Sequence, residues 1–384
     1  MDHTTTLKLL EPTTLGPYNL RNRIVMAPLT RMRAGADNVP TEMNAAYYQQ
    51  RAGAGLMIAE ATSISPFGYG YVNAPGIHTW EQVIGWRKVT RAVHAEDGII
   101  FLQIVHMGRM SHDALQPGHL LPLAPSALSP GGNSPTAEGS KPRPVPRALE
   151  TAEIHGIVED FRRAAYLAME AGFDGVELHG ANGYLIEQFL YDGSNRRTDI
   201  YGGSLENRAR FFLQVTEAAV EVWGAARVGV RISPSNIFGN MHDTDRFYTV
   251  SYLISQLNKL QLAYLHIIEP RIAGNTDIEP QFDLGSDRLR SLVTGTTKLI
   301  SAGGNTREIA EHILNEGTAD LVAFGRLYVS NPDLPMRFAL NAPLAPYDRA
   351  TFYGGSEKGY LDYPPLQQDP LAASRTVLPS YRAV

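Results

Sequence analysis

The 384-residue sequence contains no cysteine. This absence excludes disulfide scaffolds, thiolate nucleophiles and cysteine-ligated zinc or iron–sulfur centres. The eleven histidines form no HExxH motif and no histidine-rich tract, so we expect no metal site either. Any redox chemistry must therefore come from a bound organic cofactor.

The sequence also lacks an excess of positive charge and any long apolar run. Its formal net charge is −5 and its pI is near 6.1, whereas a nucleic-acid footprint needs clustered Lys and Arg. No apolar stretch approaches the ~20 residues that span a bilayer, and residues 1–4 show no sign of a signal peptide. We therefore expect no nucleic-acid partner, no membrane insertion and a cytoplasmic location.

What the sequence does contain is a recurrence of short apolar runs. With 43% hydrophobic and 19% charged residues, the chain has a globular composition. Continuous apolar runs are typical of parallel strands that are buried on both faces. The eight runs are residues 23–30, 55–63, 99–108, 175–181, 227–233, 264–270, 298–304 and 321–326.

Segments between these runs carry apolar residues at helical spacing, as in 80–94, 151–171, 205–223 and 306–315. Eight such units in series favour an α/β fold, a closed (β/α)8 TIM barrel, over an open doubly wound sheet of five or six strands. We expect residues 1–384 to form one such domain.

Three segments lie outside the repeating units. A turn at Gly16 and Pro17 predicts an N-terminal hairpin that closes the barrel floor. Residues 110–149, dense in Pro, Gly and Ser after the third strand, are interpreted as a packed lid insertion. Residues 365–384 form a C-terminal tail.

In this architecture the active site lies at the carboxyl ends of the strands. Strands seven and eight end in Gly303, Gly304, Gly325 and Arg326. Exposed backbone N–H groups and helix N-termini would cradle a phosphate there, and the arginine would clamp it. The alternative is that these glycines only turn the chain from strand to helix.

Strands four and five end in further polar residues. His179 and Asn182 could donate hydrogen bonds to one oxygen, and Tyr184, with an ordinary pKa of about 10, could act as a general acid. Arg231 needs an anionic or polar partner if buried. The alternatives are a histidine that satisfies local backbone groups, a rim aromatic and a structural ion pair.

Longer motifs connect these positions. They are ELHGANGYLIEQFLYDGSNRRTDIYGGSLENRARF at 177–211, MAPLTR at 26–31, SAGG at 301–304, FGRLYVSNPDLP at 324–335 and TFYGGSEKGYLDYP at 351–364. In this order, from about residue 7 to about residue 365, the sequence resembles the Old Yellow Enzyme family of FMN-dependent ene-reductases.

The resemblance implies that NADPH or NADH gives a hydride to N5 of bound FMN, which passes it to the β-carbon of an activated alkene. The substrates would be α,β-unsaturated carbonyl or nitro compounds, with phenols as ligands. His179 and Asn182 would hold the substrate oxygen, and Tyr184 would protonate the α-carbon. The protein would be a monomer or a homodimer.

The resemblance also assigns contacts. Tyr71, Phe352 and Tyr353 resemble pocket-wall aromatics. Many relatives carry an aromatic residue where this chain has Val105, which implies a wider substrate pocket. The positions implied for FMN are Ala27, Pro28, Leu29, Thr30, Ala61, Gln103, Arg231, Gly303, Gly304, Gly325 and Arg326.

Two other functions stay open at this point. A barrel lyase could bind a phosphorylated substrate in the cradle, although no Schiff-base lysine is obvious at a strand end. A protein that binds flavin and phenols without turnover could carry the same residues.

Overall fold

The computed structural model describes residues 7–274 and 276–368. Residues 1–4, which bear on the expected location, and residues 369–384 of the predicted tail lie outside this part. The described strands are β1 Thr13–Leu15, β2 Tyr18–Leu20, β3 Ile24–Met26, β4 Leu56–Ser63, β5 Ile100–Val105, β6 Leu123–Ala124, β7 Asn133–Thr136, β8 Gly139–Pro142, β9 Arg147–Ala148, β10 Gly175–Gly180, β11 Val228–Ile232, β12 Tyr264–Ile268, β13 Ile272–Ala273, β14 Thr276–Asp277, β15 Lys298–Ala302 and β16 Leu321–Phe324.

Side-chain caps start several of the helices. Thr79, Ser204 and Thr306 each accept a hydrogen bond from a backbone N–H of the first turn, which satisfies a donor that the helix leaves open. The α-helices are α1 Glu42–Gln49, α2 Trp80–His94, α3 Thr151–Glu170, α4 Leu185–Leu190, α5 Leu205–Trp223, α6 Arg246–Leu257, α7 Ser286–Leu289, α8 Arg307–Glu316, α9 Arg326–Ser330 and α10 Leu334–Ala339.

Eight parallel strands close into a barrel in chain order: β3, β4, β5, β10, β11, β12, β15 and β16, which pairs back with β3. One apolar cluster fills the lower barrel interior, and a larger one lies between barrel and helices. The predicted (β/α)8 barrel is confirmed, with one strand in each of the eight apolar runs.

Two strands are shorter than their runs. β3 ends at Met26 rather than Thr30, and β16 ends at Phe324, with Arg326 beginning α9. Ala27 still donates its N–H to the Phe324 carbonyl at 3.1 Å. Beyond Ala27, the segments that follow β3 and β16 are no longer paired. The residues that follow β3 are thereby released from the ladder and can line a cavity.

The N-terminal hairpin closes the barrel floor as predicted. β1 and β2 pair antiparallel around Gly16, which has φ +51° and lies so close to the Ala226 carbonyl that a Cβ would clash. The Tyr18 hydroxyl donates to the Asp174 carbonyl at 2.7 Å, directly before β10. Leu15 and Leu20 pack into the lower barrel cluster.

Residues 110–149 are more regular than the composition predicts. They contain an antiparallel hairpin of β7 and β8 and the parallel pair β6 and β9. Frequent prolines, such as Pro135 and Pro142, limit each piece to a few residues. The insertion is thus a set of short paired strands, and its closing as a lid stays a prediction.

The described residues contain neither a candidate membrane span nor a candidate metal-binding group. No helix among residues 7–274 and 276–368 combines the length and apolar character of a membrane span. Within the same ranges, no three His, Asp or Glu side chains are grouped so that they could hold a metal ion.

Candidate functional site

A cavity of about 620 Å³ opens at the carboxyl ends of the barrel strands. It brings together residues from the exits of β3, β4, β5, β10, β11, β15 and β16 with the segment after α10. The predicted residues that line it are Ala27, Pro28, Leu29, Thr30, Ala61, Tyr71, Gln103, His179, Asn182, Tyr184, Arg231, Gly303, Gly304, Gly325, Arg326, Phe352 and Tyr353.

Val105 is the one predicted pocket residue that does not line the cavity. It is 1% exposed and belongs to a small cluster with Ala61, Met107, Met110 and Tyr184. Val105 therefore lies behind the wall, where it packs with Ala61 and Tyr184, which face the cavity, and its assignment to substrate binding stays a prediction.

A polar layer lies above the apolar floor of the barrel interior. The buried Glu177 carboxylate accepts a hydrogen bond from Gln103 Nε2 at 2.6 Å and lies 2.8 Å from His266 Nδ1. β10 and β12 are separated by β11, so the contact between Glu177 and His266 crosses the barrel interior. Gln103 is thereby oriented with its Nε2 on Glu177, which leaves its Oε1 for a ligand.

Arg231 lies in the same layer, and its Nε has an open donor. On β11 it is aligned with His179 of β10 and His266 of β12. Its Nε is buried, and within the described residues no group accepts a hydrogen bond from it. Burial lowers the pKa of Arg231, while Glu177 raises it. A buried cation with open donors is suited to an anionic or electron-rich ligand.

His179 is held neutral by its surroundings. It is 3% exposed, and burial, assisted by the charge of Arg231 and by His266, holds its pKa well below the usual range. A neutral imidazole carries a single N–H donor. Its Nδ1 has no partner among the described residues, and its ring meets the Tyr184 ring edge-on at 4.8 Å.

Asn182 and Tyr184 lie on the turn that joins β10 to α4. Asn182 and Gly183 both adopt left-handed backbone conformations, with φ of +56° and +77°, and Tyr184 is the residue before α4. The Tyr184 and Tyr71 hydroxyl oxygens are 3.2 Å apart. Burial raises the pKa of Tyr184 well above its usual value, so the phenol stays protonated at neutral pH.

The glycine cradle lies at the exits of β15 and β16. Gly303 and Gly304 have φ of +120° and +64°, and a Cβ at Gly303 would lie 2.8 Å from Ile272 Cγ1. Thr306 then caps α8, and Gly325 precedes α9. The two left-handed glycines expose backbone N–H groups without side chains, which fits a bound phosphate.

Arg326 lines the cradle but is already paired. Its two terminal nitrogens contact the Asp277 carboxylate at 2.5 and 2.6 Å. The sequence interpretation assigned Arg326 to a phosphate alone and missed Asp277, which is 49 positions away on β14. A phosphate in the cradle would share this guanidinium with Asp277 or displace it.

The segment after α10 reaches the cavity because buried arginines hold it. Arg31 and Arg33, 1% and 3% exposed, donate to the carbonyls of Phe352, Gly359 and Ser356 at 2.7–3.0 Å. This anchoring places Phe352 and Tyr353 in the cavity wall.

Arg51 completes the anchoring. It has no exposed surface and donates to the Tyr328 and Val329 carbonyls at 2.9 and 2.8 Å and to the Tyr360 carbonyl at 3.3 Å. Its guanidinium lies over the Tyr47 ring, 3.8 Å from the centroid. The arginine anchors were not predicted, since nothing local in the sequence marks them.

Comparisons with known proteins agree on a family. A sequence profile of the NADH:flavin oxidoreductase / NADH oxidase family matches residues 8–344. 12-Oxophytodienoate reductase 1 of Oryza sativa subsp. japonica is 47% identical over 367 residues, covering 94% of each chain. 12-Oxophytodienoate reductase 2 of Arabidopsis thaliana is 44% identical over 363 residues, covering 94% of this chain and 96% of its own.

Solved structures match equally well. Morphinone reductase superposes with a TM-score of 0.89 at 47% identity, covering 95% of this chain and 98% of its own, and it has been solved with tetrahydroNAD. The old yellow enzyme homologue from Zymomonas mobilis superposes with a TM-score of 0.89 at 42% identity, covering 93% of this chain and 99% of its own.

The chain belongs to this family. The resemblance to the Old Yellow Enzyme family is confirmed, and with it an FMN-dependent NAD(P)H ene-reductase that uses a nicotinamide as hydride donor. The barrel lyase is excluded by this membership. The residues present fit the cofactor, because an uncompensated Arg231 and a side-chain-free cradle face the same cavity.

Proposed function

We propose that the enzyme reduces the C=C bond of α,β-unsaturated carbonyl or nitro compounds, with His179, Asn182 and Tyr184 as its catalytic residues. The observation that carries the proposal is the cavity itself. It is lined at once by these three side chains, by Arg231 and by the glycine cradle, so a substrate oxygen and a phosphorylated cofactor fit within one space.

FMN, when bound, supplies the hydride chemistry between the nicotinamide and the alkene. Ala27, Pro28, Leu29, Thr30, Ala61, Gln103 and Arg231 would hold its ring system, and Gly303, Gly304, Gly325 and Arg326 its phosphate. The guanidinium of Arg231 would stabilise negative charge on the reduced form of the bound ring and so raise its reduction potential. Tyr71 and Tyr353 would complete the substrate wall.

The chain's own residues perform the acid catalysis. His179 and Asn182 donate hydrogen bonds to the substrate oxygen and stabilise the negative charge that develops on it. Tyr184 delivers its proton to the α-carbon. Because burial raises the pKa of Tyr184, the phenolate left behind is costly, and the neighbouring Tyr71 hydroxyl at 3.2 Å offers a route for its reprotonation.

Anaerobic half-reactions test the proposal. NADPH or NADH should bleach the flavin, and 2-cyclohexenone or a nitroalkene should restore its absorption. Bleaching without reoxidation by any activated alkene would contradict the proposed substrate class, and failure of both steps would support the flavin- and phenol-binding protein without turnover. Parallel runs with both nicotinamides establish the donor preference.

We also propose a cytoplasmic location, because the reaction draws on NADPH or NADH from the cell interior, and a monomer or homodimer as the working form. Cell fractionation tests the location, and light scattering of the purified holoenzyme gives the oligomeric state.

A further inference from the structure

The turn that carries Asn182 and Tyr184 is unusual in its backbone. Asn182 and Gly183 are consecutive left-handed residues, and a residue with a Cβ in this region costs about 1 kcal/mol. A Cβ at Gly183 would also lie 2.9 Å from the Phe238 carbonyl oxygen. Surrounding contacts must therefore hold this conformation.

The carboxylate of Glu187, one turn further along in α4, supplies those contacts. Its Oε2 accepts the backbone N–H of Gly183 at 2.6 Å, and its Oε1 accepts the Ser233 hydroxyl at 2.6 Å. The Ser233 oxygen in turn accepts the backbone N–H of Asn182 at 2.8 Å. One carboxylate thus fixes both left-handed residues, one directly and one through a hydroxyl.

The same carboxylate joins a second loop of the cavity. Asn236 Nδ2 donates to Glu187 Oε2 at 3.1 Å, and Asn236 Oδ1 accepts the backbone N–H of Phe238 at 2.8 Å. Phe238 lines the cavity. Glu187 itself is 1% exposed and does not touch the cavity, so any influence on a ligand passes through these neighbours.

The Gly183 N–H, the Ser233 hydroxyl and the Asn236 amide all donate to the Glu187 carboxylate in the structure, an arrangement that favours the ionised form. The charged and titratable groups that face it are the buried Arg109 and Arg246 and the phenol of Tyr191. Neither arginine forms an ion pair with it within the described residues. Burial consequently raises the pKa of Glu187 to about 7, even though its hydrogen bonds and Arg246 lower it.

We propose that Glu187 is a positioning residue, whose ionised carboxylate holds the Asn182–Gly183 turn and so directs the Asn182 amide and the Tyr184 phenol into the cavity. The inference rests on the proposed function in one respect, that this turn binds the ligand oxygen. Protonation of Glu187 replaces an acceptor with a donor, so the turn loosens as the pH falls below about 7.

Glu187→Gln tests the proposal while preserving the shape of the side chain. The amide keeps one acceptor oxygen and replaces the second carboxylate oxygen with an NH2 donor. Binding of 4-chlorophenol to the oxidised holoenzyme is followed by its charge-transfer band at pH 8 and pH 6. The ligand's own ionisation affects both proteins alike, so the ratio of variant to parent Kd is compared. We expect a ratio of about tenfold at pH 8, falling towards one at pH 6.

A second measurement does not depend on ligand or turnover. Hydrogen–deuterium exchange of the peptide that contains residues 181–184 should be faster in Glu187→Gln than in the parent at pH 8. The matched control is Glu311→Gln, because Glu311 also accepts two backbone N–H groups, those of Lys8 and Leu9, away from the cavity. It should lower the melting temperature without changing phenol affinity.

The positioning role is overturned if the ratio of variant to parent Kd equals one at pH 8. It is also overturned if that ratio is the same at pH 6 as at pH 8. Unchanged exchange of the 181–184 peptide overturns it as well. If the parent holoenzyme forms no charge-transfer complex with any phenol and reduces no activated alkene, the proposed function fails instead, and the exchange measurement still decides whether Glu187 holds the turn.

Discussion

The two adjacent phenols Tyr184 and Tyr71, among the tyrosines that line the cavity, have different surroundings. Tyr184 is 7% exposed and its pKa is raised by burial and by Tyr71, whereas Tyr71 is only partly buried. The proton on the inner phenol is therefore the one protected from solvent and placed beside His179. The outer phenol connects it to water.

Replacing Tyr184 with Phe should separate the two half-reactions. Reduction by the nicotinamide needs no proton from this residue and should change by less than about threefold. Alkene reduction should slow by about 10²-fold or more, the usual contribution of a general acid. Stopped-flow absorbance of the flavin measures both. Equal slowing of the two steps would refute the proton-donor role, and Tyr71→Phe, which keeps the donor, should have the smaller effect.

Single residues also mark where the sequence was informative. His179, Asn182 and Tyr184 were predicted because polar residues at a strand end are unusual. Glu187 offered a similar signal, a carboxylate within the apolar run LIEQFL, but its partners depend on the backbone of a turn that the sequence does not specify. Asp277 could not be predicted, because its pairing with Arg326 depends on β14 meeting the start of α9, 49 positions away in the sequence.

Among the elements, the exit of β15 shows how backbone conformation shapes a binding site. Gly304 and Gly317 have nearly the same left-handed φ, +64° and +70°. They differ in position. A Cβ at Gly304, in the cradle, would lie 3.1 Å from Arg271 Nε, whereas a Cβ at Gly317, at the end of α8, would have no neighbour within 4 Å.

These two glycines make a matched pair. Alanine at either position should lower stability by about 1 kcal/mol because of the strained backbone, which thermal unfolding of the apoprotein measures. Only Gly304→Ala should weaken FMN binding, measured by fluorescence quenching on reconstitution. Equal FMN affinity in both variants would show that the cradle does not hold the cofactor.

The segment of residues 351–360 is likewise an element whose place depends on others. Arg51→Met removes the donor to four buried carbonyls, those of Tyr47, Tyr328, Val329 and Tyr360, which should cost about 3 kcal/mol. The control is Arg21→Met, whose partners, the Glu96 and Asp97 carbonyls, are exposed, and it should cost less than about 0.5 kcal/mol. Chemical denaturation compares the two, and similar losses would argue against the anchoring role of Arg51.

Prediction from sequence worked best for the elements of the barrel. Continuous apolar runs depend only on burial, so each of the eight gave a strand, and Gly16 marked the floor hairpin. Strand ends were less predictable, since β3 stops at Met26, where its pairing with β4 and β16 ends, rather than where its apolar run ends. The short paired strands of the insertion at 110–149 were not predicted, because prolines lie within and between them and hide any strand pattern.

For the whole molecule, buried histidines should limit stability in acid. His106 is 2% exposed, its Nδ1 accepts the Gly108 N–H at 3.1 Å, and burial lowers its pKa to about 4. A lowered pKa means that its contribution is complete above pH 6.5 and is lost as the pH falls towards 4. The loss amounts to about 3 kcal/mol at pH 4.

His106→Asn should flatten this dependence, because the amide oxygen can accept the same N–H without taking up a proton. Melting temperatures between pH 6.5 and 4 should fall less steeply for this variant than for the parent. His155→Asn, at an exposed position, should follow the parent. A variant as acid-sensitive as the parent would show that other groups dominate.

The arginine anchors also bear on the order in which the protein is made. Arg31, Arg33 and Arg51 leave the ribosome about 300 residues before the carbonyls of 351–360 that they bind. Until those residues emerge, the three guanidinium groups lack these carbonyl acceptors and keep only partners close in sequence, such as the Tyr47 hydroxyl for Arg31 and the Tyr47 carbonyl for Arg51. The cavity wall is therefore completed only near the end of synthesis, so a nascent chain released before residue 351 should neither hold FMN nor escape proteolysis.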